Sequence, residues 1–417
     1  MLLKFERTEL IKTDDIPKGS VISVVGCGGK TTLIEYMAAV LSKKFKVGVA
    51  ASAKMRMPLP GTFDQCFIGS QSEVILPGPG IYYFADTCMK TPEGDKLCGF
   101  SGDLKKKALL ATDIMLIEAD GSAHKPVKAW KEDEPVIIQE TTMTIGAAAF
   151  GRIGEAADGT TIHRLPLFLS IYPGAVSKTL TRDMFEWMIG SKDGMFKNSR
   201  GRAVVWENRA EIAAVVLASG YARRMGANKL MIPVMGKPMI AHVFEALATV
   251  SFSKKTVVTN QASIGALAKK YGIDTVYNHH ADEGQSRSVV LGTAACMRQE
   301  HGEGGKHIDG LMFFPGDMPL VTPDLIRKLM TAFTAAGKEK IIVPVYLESD
   351  QKTYRRGSPV IFPAAFSEAL MQLSGDSGGR QILKKYPEKV YEVPVGDGRL
   401  GTDIDSSEDL IKLRSRT

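Results

Sequence analysis

Two segments of the sequence place glycines and cations directly after an apolar run. Residues 26–32 read Gly-Cys-Gly-Gly-Lys-Thr-Thr, and residues 217–229 read Leu-Ala-Ser-Gly-Tyr-Ala-Arg-Arg-Met-Gly-Ala-Asn-Lys. Glycine turns expose backbone N–H groups to an anion, and lysine or arginine side chains reach its outer oxygens. Both segments are therefore expected to bind the phosphates of a nucleotide.

The segment 217–229 offers three cations, Arg223, Arg224 and Lys229, besides its bare backbone. Together they can surround one triphosphate. A solvated basic turn is the alternative interpretation. The order of apolar run, glycines and cations favours the phosphate site, because it is the order that such a site needs.

The segment 26–32 has the parts of a phosphate-binding loop, in which the lysine reaches the terminal phosphates and the threonine ligates magnesium. The eight-residue form of this loop needs a glycine at position 24, where Val24 stands. The shorter Gly-x-x-Gly-Lys-Thr form, as in the amide-forming ligases of cell-wall synthesis, fits from Gly26. A plain strand-to-helix turn is the alternative. The predicted nucleotide-binding residues are Gly26, Gly28, Gly29, Lys30, Thr31 and Thr32.

Carboxylates that suit magnesium follow other apolar runs. Glu118 and Asp120 end one run and share a strand face, because side chains alternate along a strand, so we expect them opposite the first phosphate loop. Asp317 ends another run within Gly-Asp-x-Pro and is the predicted metal ligand of the second half. Asp405, two residues after Asp403, is predicted either as a second metal ligand or as the N-cap of the following helix.

Two further loops have the composition of anion sites. Residues 283–288, Glu-Gly-Gln-Ser-Arg-Ser, open a predicted helix, so Gln285 and Ser286 are expected to bind a base edge or a phosphate. Residues 375–380, Gly-Asp-Ser-Gly-Gly-Arg, put glycines and one arginine at a helix start. This loop can bind a second phosphate, separate from the first.

Alternating strands and helices must position these residues. In the second half, strands predicted at 212–217, 255–260 and 274–277 alternate with helices predicted at 240–250 and 263–271. This alternation predicts a mainly parallel sheet with helices on both faces. We expect the α/β class, with a P-loop-like nucleotide-binding domain at 1–209 and a Rossmann-like domain at 210–417.

The boundary between the predicted domains has no long linker. Residues 208–211, Asn-Arg-Ala-Glu, lie at this boundary. They are weakly similar to the Asn-Lys-x-Asp segment that reads the base in other phosphate-loop proteins. The similarity is too weak to assign them a role.

Composition excludes several classes of protein. The 417 residues are 44% hydrophobic and 24% charged, as in ordinary globular proteins. The net charge of +7 occurs without a basic block, which suits anionic small molecules better than nucleic acid. Five cysteines without metal spacing indicate a reducing compartment. The charged N-terminus is unlike a signal peptide and no apolar run reaches about 18 residues, so we expect a cytoplasmic protein with no membrane or nucleic-acid partner.

The first half resembles the selenium-dependent hydroxylase accessory proteins of the YqeC type over about residues 5–209. The similarity rests on the segment 26–32, on Glu-Ala-Asp-Gly-Ser at 118–122, on Lys-Pro-Val-Lys at 125–128 and on Ile-His-Arg at 162–164. It implies an α/β nucleotide-binding domain linked with the maturation of molybdenum hydroxylases. His163 and Arg164 are interpreted either as substrate ligands or as structural residues.

The second half, over 212–417, resembles the molybdenum cofactor cytidylyltransferases within the MobA-like nucleotidyltransferases. The matching motifs are 217–229, Gly-Lys-Pro at 236–238, Gly-Asp-Met-Pro at 316–319, Gly-Ser-Pro-Val at 357–360, the loop 375–380 and Asp-Ile-Asp at 403–405. The resemblance places cytosine and ribose beside Leu217, Ala218, Ser219 and Gly220, and the triphosphate beside Arg224 and Lys229. It places magnesium on Asp317. The molybdopterin side comprises Ser358, Gly375, Asp376, Gly378, Gly379 and Arg380.

The resemblance implies an enzyme that transfers CMP from CTP to molybdopterin, giving molybdopterin cytosine dinucleotide and pyrophosphate, with Arg224, Lys229 and Asp317 as catalytic residues. The cytidine-using relatives have alanine where Ser219 stands and the guanosine-using ones have glycine, so the side chain at 219 favours cytidine. A GTP- or sugar-phosphate-directed transferase and a cofactor carrier or chaperone are the alternatives. For the first half we expect ATP or GTP hydrolysis coupled to cofactor or selenium handling, and an apo molybdenum hydroxylase as transient partner.

Overall fold

A computed structural model of the chain describes residues 5–92, 94–174, 177–220, 229–298, 307–348, 350–376 and 378–404. The chain divides into two compact units, Met1–Arg209 (unit 1) and Ala210–Thr417 (unit 2). Each unit has its own sheet and its own hydrophobic core. Within the described residues, no helix combines the length and apolar character needed to cross a bilayer.

The described part of unit 1 is built on an eight-stranded sheet in which every neighbouring pair is parallel. Its strands are β1 (Glu6–Thr8), β2 (Ser20–Cys27), β3 (Lys46–Ala51), β4 (Gln65–Ile68), β5 (Gly80–Ala85), β6 (Ile114–Glu118), β7 (Met143–Ala148) and β8 (Arg202–Glu207). Their order across the sheet is β1-β8-β7-β2-β6-β3-β5-β4. Strand β2 is buried at every position, as expected for a parallel strand covered on both faces.

Helices cover this sheet. They are α1 (Lys30–Leu41), α2 (Gly102–Ala111), α3 (Leu165–Ile171) and α4 (Arg182–Gly190), with short 3-10 turns at Thr13–Asp15 and Phe150–Arg152. Two small sheets complete the unit, a parallel pair (Val127–Lys128 with Ile162–His163) and an antiparallel triplet (Lys54–Arg56, Thr87–Met89 and Lys96–Cys98). The parallel pair brings the residues after Asp120 next to the Ile-His-Arg motif.

The described part of unit 2 also has an eight-stranded sheet. Its strands are β9 (Ile212–Ala218), β10 (Lys254–Thr259), β11 (Asp274–Tyr277), β12 (Gly310–Pro315), β13 (Ile341–Leu347), β14 (Tyr354–Arg356), β15 (Val360–Pro363) and β16 (Val390–Val395). The order is β11-β10-β9-β12-β15-β13-β14, and β16 pairs with β13. The four strands from β11 to β12 are parallel, whereas β15 runs antiparallel to both of its neighbours.

The described part of unit 2 contains the helices α5 (Met239–Ala248), α6 (Ala262–Lys270), α7 (Gln285–Met297), α8 (Pro323–Ala335), α9 (Ser367–Met371) and α10 (Arg380–Lys385). A hairpin (Pro233–Val234 with Lys237–Pro238) and 3-10 turns at Lys229–Met231, Ala281–Glu283, Ala364–Phe366, Pro387–Lys389 and Gly398–Gly401 connect the elements. The predicted strands and helices of residues 212–277 are confirmed to within two residues at each end, and so is the α/β class.

Candidate active sites of the two units

In unit 2, the carboxyl ends of β9 and β12 lie side by side, with Leu217 opposite Pro315. The N–H of Gly316 donates to the carbonyl oxygen of Leu217 at 3.0 Å. A β-carbon on Gly316 would lie 3.2 Å from that oxygen and from a methyl carbon of Leu230. Glycine therefore lets the chain turn closely past the end of β9 and present Asp317 there.

Lys229 and Asp317 form an ion pair at this edge of the sheet. Nζ of Lys229 lies 2.8 Å from Oδ2 of Asp317, and the two side chains are 17% and 23% exposed. The carbonyl oxygen of Asp317 also accepts a hydrogen bond from the N–H of Ile404 at 3.2 Å. The backbone just before Asp405 thus contacts Asp317, although Asp405 itself, like Arg224, lies outside the described residues.

Ser219 and its neighbours are engaged with the next strand, β10. The Ser219 hydroxyl donates to the carbonyl oxygen of Val258 at 3.2 Å, and the Thr259 hydroxyl donates to that of Ala218 at 3.1 Å. Ser219 is 6% exposed, whereas Gly220 is exposed. The side chain at 219 therefore points its oxygen at the sheet backbone.

The start of α7 contacts the loop 375–380. The N–H of Ser286 donates to the carbonyl oxygen of Gly375 at 3.1 Å. A β-carbon on Gly284 would lie 2.4 Å from Oδ1 of Asp376, and one on Gly378 would lie 3.1 Å from Oε1 of Gln285. The predicted nucleotide ligands Gln285 and Ser286 thus lie against the predicted molybdopterin loop. The buried hydroxyl of Ser286 has no hydrogen-bond partner among the described residues.

Other predicted residues of unit 2 are placed differently. Arg380 is exposed as the first residue of α10, and Gly379 packs against the ring of Phe362. The carbonyl oxygen of Ser358 accepts a hydrogen bond from the Tyr346 hydroxyl. No hydrogen bond between described residues joins Ser358 to the loop 375–380.

In unit 1, the segment 26–32 forms the turn from β2 to α1. Gly26 and Gly28 have φ values of 95° and 100°, in the left-handed region that favours glycine. A β-carbon would lie 2.5 Å from the carbonyl oxygen of Ala147 at Gly26, and 2.2 Å from Cβ of Ala149 at Gly28. Helix α1 begins at Lys30 without a side-chain cap, so its first N–H groups can serve an anion.

Lys30 and Thr31 lie beside the two predicted carboxylates. Nζ of Lys30 donates to the carbonyl oxygen of Gly26 at 2.9 Å and lies 3.3 Å from Oδ1 of Asp120 and 3.7 Å from Oε1 of Glu118. The Thr31 hydroxyl donates to Oε2 of Glu118 at 2.9 Å. Burial opposes the charge of Lys30, but the charges of Asp120 and Glu118 outweigh burial and raise its pKa. Thr32 is partly exposed in the first turn of α1.

Asp120 is the centre of a buried hydrogen-bond network. Its Oδ2 accepts from the N–H of Gly26 at 3.2 Å, from Nζ of Lys128 at 3.1 Å and from Nε1 of Trp130 at 2.6 Å. Its Oδ1 contacts Lys30 but has no well-aligned hydrogen bond among the described residues. Burial, with repulsion from Asp120, raises the pKa of nearby Glu118.

Lys128 extends this network to Glu134 and Arg164. The fully buried Nζ of Lys128 lies 3.2 Å from Oε2 of Glu134, and Arg164 donates to both carboxylate oxygens of Glu134 at 2.6 Å. Arg164 thus acts as a structural partner of Glu134. Burial, together with the charge of Arg164, lowers the pKa of His163.

Trp130 and Glu134 were not singled out as site residues from the sequence. The sequence contains only an indirect indication of these two residues. Lys128 and Arg164 belong to the motifs named above, and cations that become buried need partners. Cys27, within the segment 26–32, is fully buried, and burial raises the pKa of its thiol to about 12.

Comparison with known proteins agrees with this division of the chain. Residues 214–390 match the family model of the MobA-like NTP transferase domain, and residues 22–166 match that of the YqeC protein. The molybdenum cofactor guanylyltransferase of Shewanella piezotolerans is 30% identical over 44% of this chain and 80% of its own length. The uncharacterized protein YqeC of Escherichia coli is 29% identical over 45% of this chain and 74% of its own length.

A further relative is the nicotine blue oxidoreductase of Paenarthrobacter nicotinovorans, which is 24% identical over 48% of this chain and 96% of its own length. The matches fall in the two units separately, and the relative from Shewanella is covered over most of its length. The chain therefore belongs to the MobA-like nucleotidyltransferases through its second half, which is fused to a YqeC-type first half.

Proposed function

We propose that unit 2 transfers CMP from CTP to the terminal phosphate of molybdopterin, releasing pyrophosphate. The observation that carries the proposal is the ion pair of Lys229 and Asp317 at the carboxyl ends of β9 and β12. Open α/β sheets bind their ligands at this edge. The pair supports the proposal, because it brings together an ammonium suited to a phosphate and a carboxylate suited to a metal ion.

The residues divide the work of an in-line displacement. The phosphate oxygen of molybdopterin attacks the α-phosphorus, and Lys229 and Arg224 offset the charge on the leaving pyrophosphate. No covalent intermediate with the protein is needed. In this proposal, catalysis consists of orientation of the substrates and neutralisation of their charge.

Asp317 fits a magnesium ion, because its carboxylate is partly exposed and Mg²⁺ is commonly held by one or two carboxylates together with substrate phosphates. Among the described residues, no group of three or more His, Cys, Asp or Glu side chains could hold a metal ion. Asp317, with Asp405 as the second proposed ligand, would therefore share the ion with the substrate. When bound, the ion would offset charge on the phosphate oxygens.

For molybdopterin we propose the loop 375–380 together with Ser358. The contacts of Gly375 and Asp376 with the start of α7 support this assignment, because they put the loop beside the proposed nucleotide ligands Gln285 and Ser286. The buried hydroxyl of Ser286 has no hydrogen-bond partner within the described part of the chain, and we propose that it donates to a substrate oxygen. Two substrates that react with each other need such adjoining sites.

CTP is the proposed donor because Ser219 carries a side chain where guanosine-using relatives have glycine. GTP is the second candidate, because the similar protein of Shewanella piezotolerans is a molybdenum cofactor guanylyltransferase. The deciding experiment measures pyrophosphate release from CTP and from GTP, each with and without molybdopterin. Pyrophosphate release from CTP that depends on molybdopterin supports the proposal. Pyrophosphate release from GTP but not from CTP contradicts the assignment of cytosine as the base. Tight binding of molybdopterin without release would indicate a carrier.

For unit 1 we propose binding and hydrolysis of ATP or GTP, coupled to handling of the cofactor or of selenium before delivery to an apo molybdenum hydroxylase. The support is the placement of Lys30 and Thr31 against Glu118 and Asp120, at the open start of α1. Calorimetry of the full chain with and without Lys30→Ala tests it. If the Lys30→Ala variant binds ATP and GTP as the original chain does, the proposal is contradicted.

A further inference from the structure

Two lysines face the buried carboxylate of Asp120, and one of them, Lys128, is firmly held. Its Nζ donates to Oδ2 of Asp120 at 3.1 Å and to the carbonyl oxygen of Gly121 at 2.7 Å. The same Nζ lies 3.2 Å from Oε2 of Glu134. An ammonium has three N–H groups, so each of them has a partner here. Lys128 is also fully buried and therefore fixed in place.

The other lysine, Lys30, has fewer contacts. Within the described residues, the one well-aligned hydrogen bond of its Nζ goes to the carbonyl oxygen of Gly26 at 2.9 Å. Its distances to the oxygens of Asp120 and Glu118 are longer, at 3.3 Å and 3.7 Å. In phosphate-binding loops the lysine reaches the terminal phosphates. If unit 1 binds a nucleotide, Lys30 exchanges these carboxylates for phosphate oxygens.

This exchange changes the balance of charge around Asp120. The residue is 1% exposed, and a buried charge that loses its partner is strongly unfavourable. Lys128 is the cation that stays beside it. The same carboxylate accepts hydrogen bonds from Nε1 of Trp130 at 2.6 Å and from the N–H of Gly26 at 3.2 Å. The position of Asp120 therefore affects the first glycine of the segment 26–32.

We infer that Lys128 is a positioning residue for phosphate binding by unit 1: it compensates the charge of Asp120, and so holds this carboxylate against the N–H of Gly26, when Lys30 has turned to the phosphates. The inference rests on the proposed nucleotide binding by unit 1. It gives a reason for the presence of two buried lysines beside one aspartate. Glu134 balances the charge of Lys128, and Arg164 balances that of Glu134.

A lysine with only a structural role leads to a different expectation. Such a lysine stabilises the free and the nucleotide-bound chain equally, so its loss lowers the free energy of unfolding and leaves the affinity for phosphates unchanged. The loss of Lys128 is expected to be more unfavourable in the bound chain, because Lys30 still faces Asp120 in the free chain. The affinity therefore separates the two roles.

The test titrates the full chain calorimetrically with inorganic tripolyphosphate and with a non-hydrolysable ATP analogue and magnesium. Binding that Lys30→Ala removes is assigned to unit 1. Lys128→Met removes the ammonium and keeps an unbranched side chain. It is expected to weaken the Lys30-dependent binding of both ligands on the order of 100-fold, the scale of one uncompensated buried charge. Lys125→Met is the matched control and should bind as before, because Lys125 donates to the carbonyl oxygen of Gly159.

A double variant tests whether Lys128 acts through Asp120. Asp120→Asn/Lys128→Met removes both charges and leaves an amide oxygen that can accept from Gly26. No charge of this pair then stays buried without a partner when Lys30 turns to the phosphates. The affinity for tripolyphosphate, measured without added metal, is expected to return to within about tenfold of the original value.

The outcomes separate the inference from the function on which it rests. Unchanged affinity in Lys128→Met overturns the inference and leaves nucleotide binding by unit 1 standing. A double variant that binds as weakly as Lys128→Met also overturns it. If Lys128→Met does not fold, weaker binding by the double variant than by Asp120→Asn alone overturns it instead. Absence of Lys30-dependent binding of both ligands in the original chain overturns the proposed function of unit 1 itself.

Discussion

Lys229 and Asp317 are 88 positions apart in the chain, yet the ammonium of one lies 2.8 Å from the carboxylate of the other. The contact exists because β9 and β12 are neighbours and both end at the same edge of the sheet. Each residue follows one of these strands. The fold itself therefore holds the proposed phosphate-binding cation and the proposed metal ligand of unit 2 together.

Loss of the Lys229 cation should slow nucleotidyl transfer. Lys229→Ala is expected to lower the rate of molybdopterin-dependent pyrophosphate release on the order of 10²–10³-fold, by analogy with the removal of one preorganised donor. Lys340→Ala is the matched control, because this partly exposed lysine donates to the carbonyl oxygen of Glu388 away from the site. A folded Lys229→Ala chain that forms dinucleotide at the original rate would refute the role of Lys229.

The residue at 219 should set the base preference of unit 2. Ser219→Gly removes the side chain that is proposed to favour cytidine, so the ratio of GTP to CTP turnover is expected to rise on the order of tenfold. Ser219→Ala keeps Cβ and removes the hydroxyl that donates to Val258, and it should preserve the preference. Competition between the two nucleotides in one reaction measures the ratio. If both variants leave it unchanged, Ser219 does not choose the base.

The ion pair of Glu134 and Arg164 should make the stability of unit 1 depend on acid pH. Burial opposes the charge of Glu134, but hydrogen bonds from Arg164 and the charge of Lys128 lower its pKa from 4.5 to about 2. The carboxylate therefore stabilises the fold above about pH 4.5, and this contribution is lost as the pH falls toward 2. Its size is at most about 3 kcal/mol.

Glu134→Gln should accordingly lower the free energy of unfolding at pH 7, and the difference from the original chain should shrink between pH 4.5 and pH 2. The measurement is urea unfolding followed by tryptophan fluorescence, since Trp130, Trp187 and Trp206 all lie in unit 1. Exposed Glu132→Gln is the neighbouring control. A pH-independent difference would contradict the assigned pairing.

Cys27 should be chemically inert in the folded chain. Its thiol is buried, and burial raises its pKa to about 12, so little thiolate is present at pH 8. Iodoacetamide at pH 8 is expected to label exposed Cys88 first and Cys27 after unfolding in urea. Peptide mapping by mass spectrometry reports both sites. Labelling of native Cys27 as fast as Cys88 would make it a reactive residue of the loop.

Several features followed from the sequence alone because they depend on local patterns. Apolar runs that end in glycine predicted the strands β2, β9 and β12, and the 3.6-residue spacing of apolar side chains predicted helices α5 and α6. The α/β class follows from their alternation. Gly28 illustrates why such motifs are readable: its φ of 100° and its contact with Ala149 admit no larger residue.

Tertiary structure alone decided which distant residues meet. No local pattern indicates that Trp130 and Lys128 donate to Asp120, that Arg164 holds Glu134, or that Ser286 contacts Gly375. No local pattern indicates the antiparallel direction of β15 either. These contacts depend on strand order and register, which arise from packing the whole core, whereas the motif residues are set by the conformation of a few neighbours. Asn208 illustrates both contributions. Its residue type is visible in the sequence, whereas its hydrogen bond to Gly28 is created by the fold.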